Sequence, residues 1–176
     1  MGESVAPNEK AEKIIAAIYQ AFGNVLRGGG VSLREGDALD SYASDEQLKQ
    51  ARALDTDVHW WEIPPEQLER FHSALSFMDA EGFRYYIPAY MTHALRTYES
   101  GSLSIDAALA SLFPLYSSAS ERYALLEHDQ KRCVAQFLWF MATETNDRWS
   151  NKLEVYNATR ALEDFWYPYL EDKGVG

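Results

Sequence analysis

A short acidic stretch holds the residues whose types and spacing come closest to a chemical site. His59 and Glu62 lie three positions apart, shortly after Asp55 and Asp57. Imidazole and carboxylate groups are metal ligands, and they also exchange protons in acid–base catalysis. Two prolines follow directly, however, and no second histidine lies at helical distance. The spacing therefore favours a solvated acidic loop, and we predict no metal site here.

The other reactive side chains give no stronger signal. His72 and His93 lie on predicted helices beside apolar stripes, where a lone histidine is usually a hydrogen-bonded boundary residue. Cys133 falls within a broad apolar face, where a thiol is inert. A hydrolase-like enzyme remains an alternative, with its acid–base pair drawn from Asp55, Asp57, Glu81, His72 and His93 around a helical cleft. Nothing in the sequence fixes the geometry of such a pair, so we assign no catalytic residue and expect no cofactor.

Aromatic residues exceed what a single core stripe requires. Exposed tryptophan and tyrosine rings are typical anchors of protein interfaces, and burial by neighbouring helices is the alternative for each ring. We expect Tyr85 and Trp139 to reach the surface, because both lie off the apolar line of their predicted helices. Arg84 is expected to pair with Asp79 or Glu81, or else to hold a carboxylate in a groove. The candidate binding residues are Trp60, Trp61, Arg84, Tyr85, Tyr86 and Tyr90.

The charge balance limits the partners of the chain. Its 176 residues include 27 acidic and 16 basic side chains, which give a formal net charge of −11. Such a chain repels nucleic-acid phosphates and anionic membrane surfaces, and it attracts a basic protein partner. Solubility alone is the other explanation of the charge. One cysteine excludes an internal disulfide, and no apolar run is long enough to span a bilayer, so we expect a cytoplasmic protein.

Helical spacing of the apolar residues positions all of these groups. Stripes of period 3.6 begin at Ala11 and recur through the chain to Tyr169, and no convincing strand pattern appears. We predict an all-α fold, a single compact domain of about six to eight helices over residues 1–176. Residues 1–8 and 171–176 are candidate disordered tails.

Several local signals mark where these helices begin. Ser32 with Glu35, and Ser44 with Gln47, have the form of capping boxes, and the second helix should bury a stripe of Leu48, Ala51 and Leu54. Pro64 and Pro65 pre-set another helix start, and Ser104 is expected to cap a later helix. Pro88 is expected to open a new helix, since proline is tolerated in a first turn and breaks a helix interior.

Four blocks of sequence resemble a known family. The stretch "LSFMDAEGFRYYIPAYM" (residues 75–91) resembles the signature of an uncharacterised bacterial family, domain of unknown function family 6714. Upstream "GVSLREGDALDSY" and "ARALD", and downstream "DQKRCVAQFLWF", resemble the other blocks of the family, so the similarity covers roughly residues 10–142. The resemblance implies no activity and no catalytic residue.

Three classes of function remain open. The first is a protein-binding module, inhibitor-like or immunity-like, that docks an acidic surface on a basic partner. The second is the hydrolase-like enzyme described above. The third is a self-associating structural protein, possible as a homo-oligomer, in which the aromatic C-terminal helix packs against a second copy. The absence of a catalytic signature leads us to favour the first.

Overall fold

In the part of the protein that the computed structural model describes, all regular secondary structure is helical. This part comprises residues 6–114, 121–145 and 152–170, and it contains no strand. The predicted all-α fold is therefore confirmed. Among the helices in these ranges, none has both the length and the apolar character that crossing a membrane requires.

The described part of the chain contains eight α-helices with defined bounds, together with shorter helical turns. The α-helices are α1 (Pro7–Phe22), α2 (Leu33–Asp40), α3 (Asp45–Ala53), α4 (Pro65–Arg70), α5 (Ala80–Thr97), α6 (Leu103–Ser111), α7 (His128–Thr143) and α8 (Lys152–Ala161). Short 3₁₀ helices cover Trp60–Glu62, His72–Phe77 and Tyr167–Tyr169, and a π-helical turn covers Leu162–Trp166.

Helix α5 is the central element of the domain. Twelve of its 18 residues are buried, and α1, α6 and α7 pack around it. Asp79 caps its first turn, and its side chain accepts a hydrogen bond from the Gly82 amide at 2.9 Å. The prediction that Pro88 opens a helix is wrong, because Pro88 lies in the middle of α5. Packing on all sides stabilises this helix and outweighs the missing amide, which leaves the Arg84 carbonyl without its usual helical donor.

Two further helices bury the faces that their sequences predict. In α1 the stripe through Ala11, Ile15, Ile18 and Phe22 is buried against α5 and α7. In α7 the broad apolar face around Cys133 and Phe137 is buried. Helix α1 begins at Pro7, so residues 7 and 8 are not part of a tail, and the Asn8 side chain accepts a hydrogen bond from the Tyr98 hydroxyl at 2.8 Å. The predicted tail residues 1–5 and 171–176 lie outside the described ranges.

Local capping signals predicted the helix starts correctly, with one exception. Both predicted capping boxes are present at the starts of α2 and α3, and α4 begins at Pro65. Helix α6 is capped by Ser102 and not by Ser104. Ser104 is buried two residues further on, where its hydroxyl donates to Glu69 at 2.7 Å.

Helix α3 differs most from its predicted packing. Its sequence suggests a stripe of Leu48, Ala51 and Leu54, yet no residue of α3 is buried, and Leu54 at its C-cap is 65% exposed. Among the elements that the structure describes, α2 is its main packing partner. Leu48 and Ala51 are half-buried, so apolar packing on α2 and polar contacts together hold the helix on the domain.

Candidate functional site

A glycine loop packs directly against the first turn of α5. A Cβ atom on Gly30 would lie 2.3 Å from the backbone nitrogen of Gly82, and a Cβ on Gly82 would lie 2.5 Å from the Val31 carbonyl oxygen. Asp79 joins the two segments, since its Oδ1 accepts from the Val31 amide and from the Gly82 amide, both at 2.9 Å. Glycine at positions 30 and 82 therefore allows the two backbone segments to approach each other closely.

Beside this loop lies a network of arginines, carboxylates and tyrosines, here called the arginine network. Its members come from the glycine loop, α2, α3, the segment after α3, and α5: Arg27, Arg34, Glu35, Arg52, Asp55, Asp57, Tyr85 and Tyr86. Most of these groups are partly buried, where a charge needs a partner to offset its lost hydration. The network fastens the surface segments 33–57 to the core.

Two arginines of the network hold the segment that follows α3. The Arg34 guanidinium and the Arg34 backbone amide both donate to the buried Asp55 carboxylate. Arg27 donates to the Asp55 carbonyl at 3.0 Å and to the Tyr86 hydroxyl at 3.1 Å, with the Asp57 carboxylate 3.9 Å away. Both turns of the chain around Asp55 and Asp57 are thereby fixed relative to α5.

Arg52 holds α3 itself. Its guanidinium donates to the Gly30 carbonyl at 2.6 Å, to the Gly28 carbonyl at 3.2 Å and to the Glu35 carboxylate at 2.9 Å. A planar guanidinium can serve several acceptors in one geometry, which a lysine ammonium cannot do in the same way. The apolar side chains Leu48 and Ala51 of α3 are only half-buried, so Arg52 adds polar attachment of α3 to the glycine loop and to α2.

The tyrosines of the network act as hydrogen-bonded structural groups. The Tyr85 hydroxyl donates to the Asp57 carboxylate at 2.7 Å. Burial raises the pKa of Tyr85 and of Tyr86 well above the ordinary value of 10.0. Both phenols therefore keep their protons in neutral solution, where neither one serves as a base.

Alkaline pH is expected to destabilise the fold through its buried tyrosines. Burial also raises the pKa of Tyr90 and Tyr123, so the native state holds these protons more tightly than the unfolded chain does. The free energy of unfolding should be unaffected by these groups below about pH 9, and it should fall as the pH rises past about 10, where unfolded tyrosine ionises. Urea unfolding at a series of pH values measures this effect. Ultraviolet absorbance follows tyrosine ionisation in the folded protein. Ionisation of all tyrosines at the ordinary pKa of about 10, with the fold intact, would contradict the prediction.

The outer surface of this region is both acidic and unusually apolar. Residues 33–66 contain nine acidic and three basic side chains, a formal charge of −6. Tyr42 is 97% exposed, Leu54 is 65% exposed and Val58 is 61% exposed. We define the acidic face as the exposed side chains of Asp40, Tyr42, Asp45, Glu46, Leu54, Val58 and Glu62.

A polar cleft of about 310 Å³ lies at one end of the acidic face. Leu54 and Glu62 line it together with Arg34, Asp57 and Gln67. Hydrogen bonds from the His59 and Val58 amides lower the pKa of Glu62, which keeps this carboxylate ionised. Within the described ranges no group of three or more histidine, cysteine, aspartate or glutamate residues could hold a metal ion. The cleft can accept a cationic side chain such as lysine or arginine.

The structure separates the six predicted binding residues. Trp60, Tyr85, Tyr86 and Tyr90 are buried, so the expected exposure of Tyr85 is wrong: its ring packs edge-on against Tyr86, with centroids 4.8 Å apart. Trp61 is exposed beside Trp60.

Two of the buried rings, Trp60 and Tyr90, donate hydrogen bonds to backbone carbonyls of other elements. The Trp60 indole donates to the Phe22 carbonyl at 3.1 Å, and the Tyr90 hydroxyl donates to the Phe71 carbonyl at 2.7 Å. These two rings therefore join α5 and the Trp60–Glu62 turn to the rest of the core. Trp139 reaches the surface as predicted, with 48% of its area exposed.

Arg84 has different partners from those predicted. It donates to Glu127 at 2.6 Å and to the Gln130 side chain at 3.0 Å, and not to Asp79 or Glu81. Glu127 and Gln130 cap the start of α7, so this arginine joins the central helix to α7.

The acidic and imidazole groups proposed for an enzyme lie in separate places. Asp57 lines the polar cleft, whereas His93 lines a different and smaller cavity. His93 Nε2 lies 2.7 Å from Glu69, which also accepts from the Ser104 hydroxyl at 2.7 Å. The Glu69 carboxylate thus lies between the imidazole and the hydroxyl. In a catalytic triad the histidine itself contacts the serine hydroxyl, so this arrangement does not activate Ser104 as a nucleophile.

The remaining nucleophile candidate is unreactive for a different reason. Cys133 is buried within the apolar face of α7, as predicted. Burial raises the pKa of its thiol to about 11. The thiolate, which is the reactive form, is therefore scarce in neutral solution.

Sequence reasoning missed the residues that organise the acidic face. Arg27, Arg34 and Arg52 enter the sequence analysis only as part of the charge total, yet they are arginines in or next to a strongly acidic stretch. An arginine amid carboxylates that are close to a core is a signal for paired, partly buried charge. Tyr42 lies between two predicted helix starts, and this loop position indicates exposure.

Together the fold and the site define an all-α domain that presents an acidic helical face on a network of arginine–carboxylate pairs. The chain belongs to the family of unknown function DUF6714, whose family model matches residues 10–170. The family resemblance seen in the sequence is thereby confirmed. The matched range ends at residue 170, beyond residue 142, at which the resemblance seen in the sequence ends. No curated protein and no solved structure matches the chain.

Proposed function

We propose that this protein is a protein-binding module, inhibitor-like or immunity-like, that docks its acidic face on a basic protein partner. The observation that carries the proposal is helix α3, which buries none of its residues and is flanked by exposed Tyr42 and Leu54. Large apolar side chains exposed among carboxylates are costly to keep in water and are common at recognition surfaces.

Charge supports a basic partner over other partners. The acidic face belongs to a stretch with a formal charge of −6 in a chain of −11. Opposite charge accelerates encounter with a cationic protein and disfavours acidic competitors. Exposed Tyr42, Leu54 and Val58 supply the apolar contacts that charge alone does not provide. The polar cleft next to Leu54 offers Glu62 and Asp57 to a lysine or arginine of the partner.

A photo-crosslinking experiment tests the proposal on the intact chain. A benzophenone amino acid replaces Tyr42 in one variant and Leu103, an exposed control on α6 with 59% exposure, in another. In native lysate at low salt, position 42 should capture a protein of high isoelectric point, and capture should weaken as salt is added. Equal capture from both positions, or capture of acidic proteins at position 42, would contradict the proposal.

Self-association is a second candidate function, favoured by exposed apolar side chains on the C-terminal helices. Leu153 and Tyr156 on α8, and Tyr167 after it, are all exposed. These side chains fit a homo-oligomer formed through the C-terminal helices. Light scattering over a range of protein concentrations separates the two functions: a strict monomer excludes this one and leaves the docking proposal intact.

We further propose a cytoplasmic location and a bacterial origin. The single buried cysteine fits a reducing compartment. An immunity-like role fits a bacterial source, which the resemblance of the signature stretch also suggests. The acidic charge disfavours nucleic acid and anionic membrane as direct ligands.

A further inference from the structure

An apolar groove runs between α1 and α7, away from the acidic face. Its cavity volume is about 380 Å³, and its apolar lining comes from Ile14 and Ala17 of α1, Trp139 and Phe140 of α7, and Leu170. A second cavity of about 410 Å³ shares Ala17 and Leu170 with it and continues along the same two helices. The second cavity is more polar, and the first has the size and apolar lining of sites that bind small organic molecules.

Two lysines lie at this groove in an otherwise acidic chain. Lys10 and Lys13 line it, with Glu144 as the one acidic residue among the described lining residues. Lys10 donates to Glu144 at 2.6 Å, and its ammonium keeps two further donors for another acceptor. Lys13 pairs with Glu9 at 3.6 Å on the exposed surface of α1, an arrangement that contributes little and exchanges readily. Both cations are thus available to an anion seated in the groove.

Trp139 provides the third element of a ligand site. Its ring lines the groove while 48% of its area stays exposed, an unusual position for the largest side chain. A ring in this position gains apolar contact when a ligand covers it. An apolar groove lined in addition by two lysines is complementary to an amphipathic anion, such as a carboxylic acid with a hydrocarbon chain.

We propose that the groove between α1 and α7 binds a small amphipathic carboxylate of the fatty-acid type. Its apolar chain lies against Ile14, Trp139 and Phe140, and its carboxylate pairs with Lys13 and with the free donors of Lys10. The charge of the whole chain, −11, would otherwise repel such an anion, so the two lysines determine the selectivity. This site is independent of the acidic face and of the protein partner proposed for it.

The experiment compares three probes with the same eight-carbon chain and different head groups. Octanoate, octanol and octyltrimethylammonium are titrated into the full-length protein below their micelle concentrations, and binding is followed by calorimetry and by tryptophan fluorescence. Octanoate should bind at least about tenfold more tightly than octyltrimethylammonium, as expected for a change from attraction to repulsion at a partly desolvated pair. Its fluorescence change should disappear in Trp139→Phe.

Matched charge reversals locate the anion. Lys13→Glu should weaken octanoate binding about tenfold, whereas Lys49→Glu on exposed α3 should leave it unchanged. Both residues are exposed, so neither change threatens folding, and circular dichroism verifies this. Equal binding of the three probes, no binding of octanoate, or an unaffected Lys13→Glu variant would overturn the proposal. A concentration-dependent dimer that octanoate dissociates would also overturn it, because the groove would then be a contact between two copies.

Discussion

Gly30→Ala is expected to lower the free energy of unfolding by about 3 kcal/mol, while Gly29→Ala, at the neighbouring position, changes it by less than about 1 kcal/mol. The new methyl group at position 30 would lie 2.3 Å from the Gly82 nitrogen, so the loop or the first turn of α5 must shift. At position 29 the nearest atom is Oε2 of the exposed Glu81 side chain, 3.3 Å away, which can rotate aside. Neither glycine has a positive φ, so backbone strain does not separate the two.

Equilibrium unfolding in urea, followed by far-ultraviolet circular dichroism, measures both variants. Gly82→Ala adds an independent check on the same contact, because two effects predict opposite signs for it. Helix propensity alone predicts that alanine stabilises α5 by up to about 1 kcal/mol. The 2.5 Å contact of the new Cβ with the Val31 carbonyl oxygen predicts destabilisation, and we expect this effect to dominate. Equal stabilities of Gly30→Ala and Gly29→Ala would show that the two backbones are not in close contact.

Arg52→Ala is expected to weaken the attachment of α3 to the domain. The change removes donors to the Gly28 and Gly30 carbonyls and to Glu35, and no buried apolar side chain compensates within α3. Three such contacts, partly exposed, together contribute about 1–2 kcal/mol. Because each 1.4 kcal/mol is a factor of ten, the α3 amides should exchange their hydrogens about tenfold faster. The amides of α5 should exchange at nearly unchanged rates.

Lys49→Ala is the matched control for this prediction. Lys49 lies one turn earlier on the same helix and is exposed, and its replacement alters helix propensity about as little as that of an arginine. Hydrogen exchange measured by mass spectrometry should show normal α3 protection in Lys49→Ala. If Arg52→Ala exchanges no faster than Lys49→Ala in α3, the guanidinium does not hold the helix.

Interactions between residues close in sequence were readily predicted here. The capping boxes at Ser32 and Ser44 depend on groups three positions apart, so their residue types suffice to identify them. The stripe of α1 likewise depends only on helical periodicity. The all-α fold follows from the sum of such local patterns.

Interactions between distant residues were not predictable in this way. Arg84 pairs with Glu127, 43 positions away, and no local pattern connects these two residues. Proline rules favour a helix start at Pro88, yet the packing of neighbouring helices around α5 keeps the helix continuous there. Leu48, Ala51 and Leu54 have the spacing of a buried stripe, but among the described elements α3 packs mainly on α2, and Leu54 stays 65% exposed. The glycine triplet at residues 28–30 indicates that the backbone needs conformational freedom there. Only the structure shows that the backbone of Gly82 packs against Gly30.

The acidic face was only partly predictable for the same reason. Net charge indicated a basic partner, and the aromatic surplus indicated anchors, but the burial of Tyr85, Tyr86 and Tyr90 depends on the helices around α5. The large apolar side chains exposed on the acidic face are Tyr42, Leu54 and Val58; Leu54 ends a predicted buried stripe, and Tyr42 and Val58 belong to none. The sequence therefore predicts the acidic charge of this region, whereas the exposure of each aromatic ring depends on tertiary packing that a sequence pattern does not show.

The affinity of the captured basic partner for two charge-reversal variants tests the central claim most directly. One variant carries Asp40→Lys, Asp45→Lys and Glu46→Lys on the acidic face, and the other carries Glu12→Lys, Glu121→Lys and Glu163→Lys at exposed positions elsewhere. The two variants have the same net charge, so general attraction is equal in both. We predict that the first weakens binding at low salt at least about 100-fold and the second less than about tenfold. Equal weakening by the two variants would contradict docking at the acidic face.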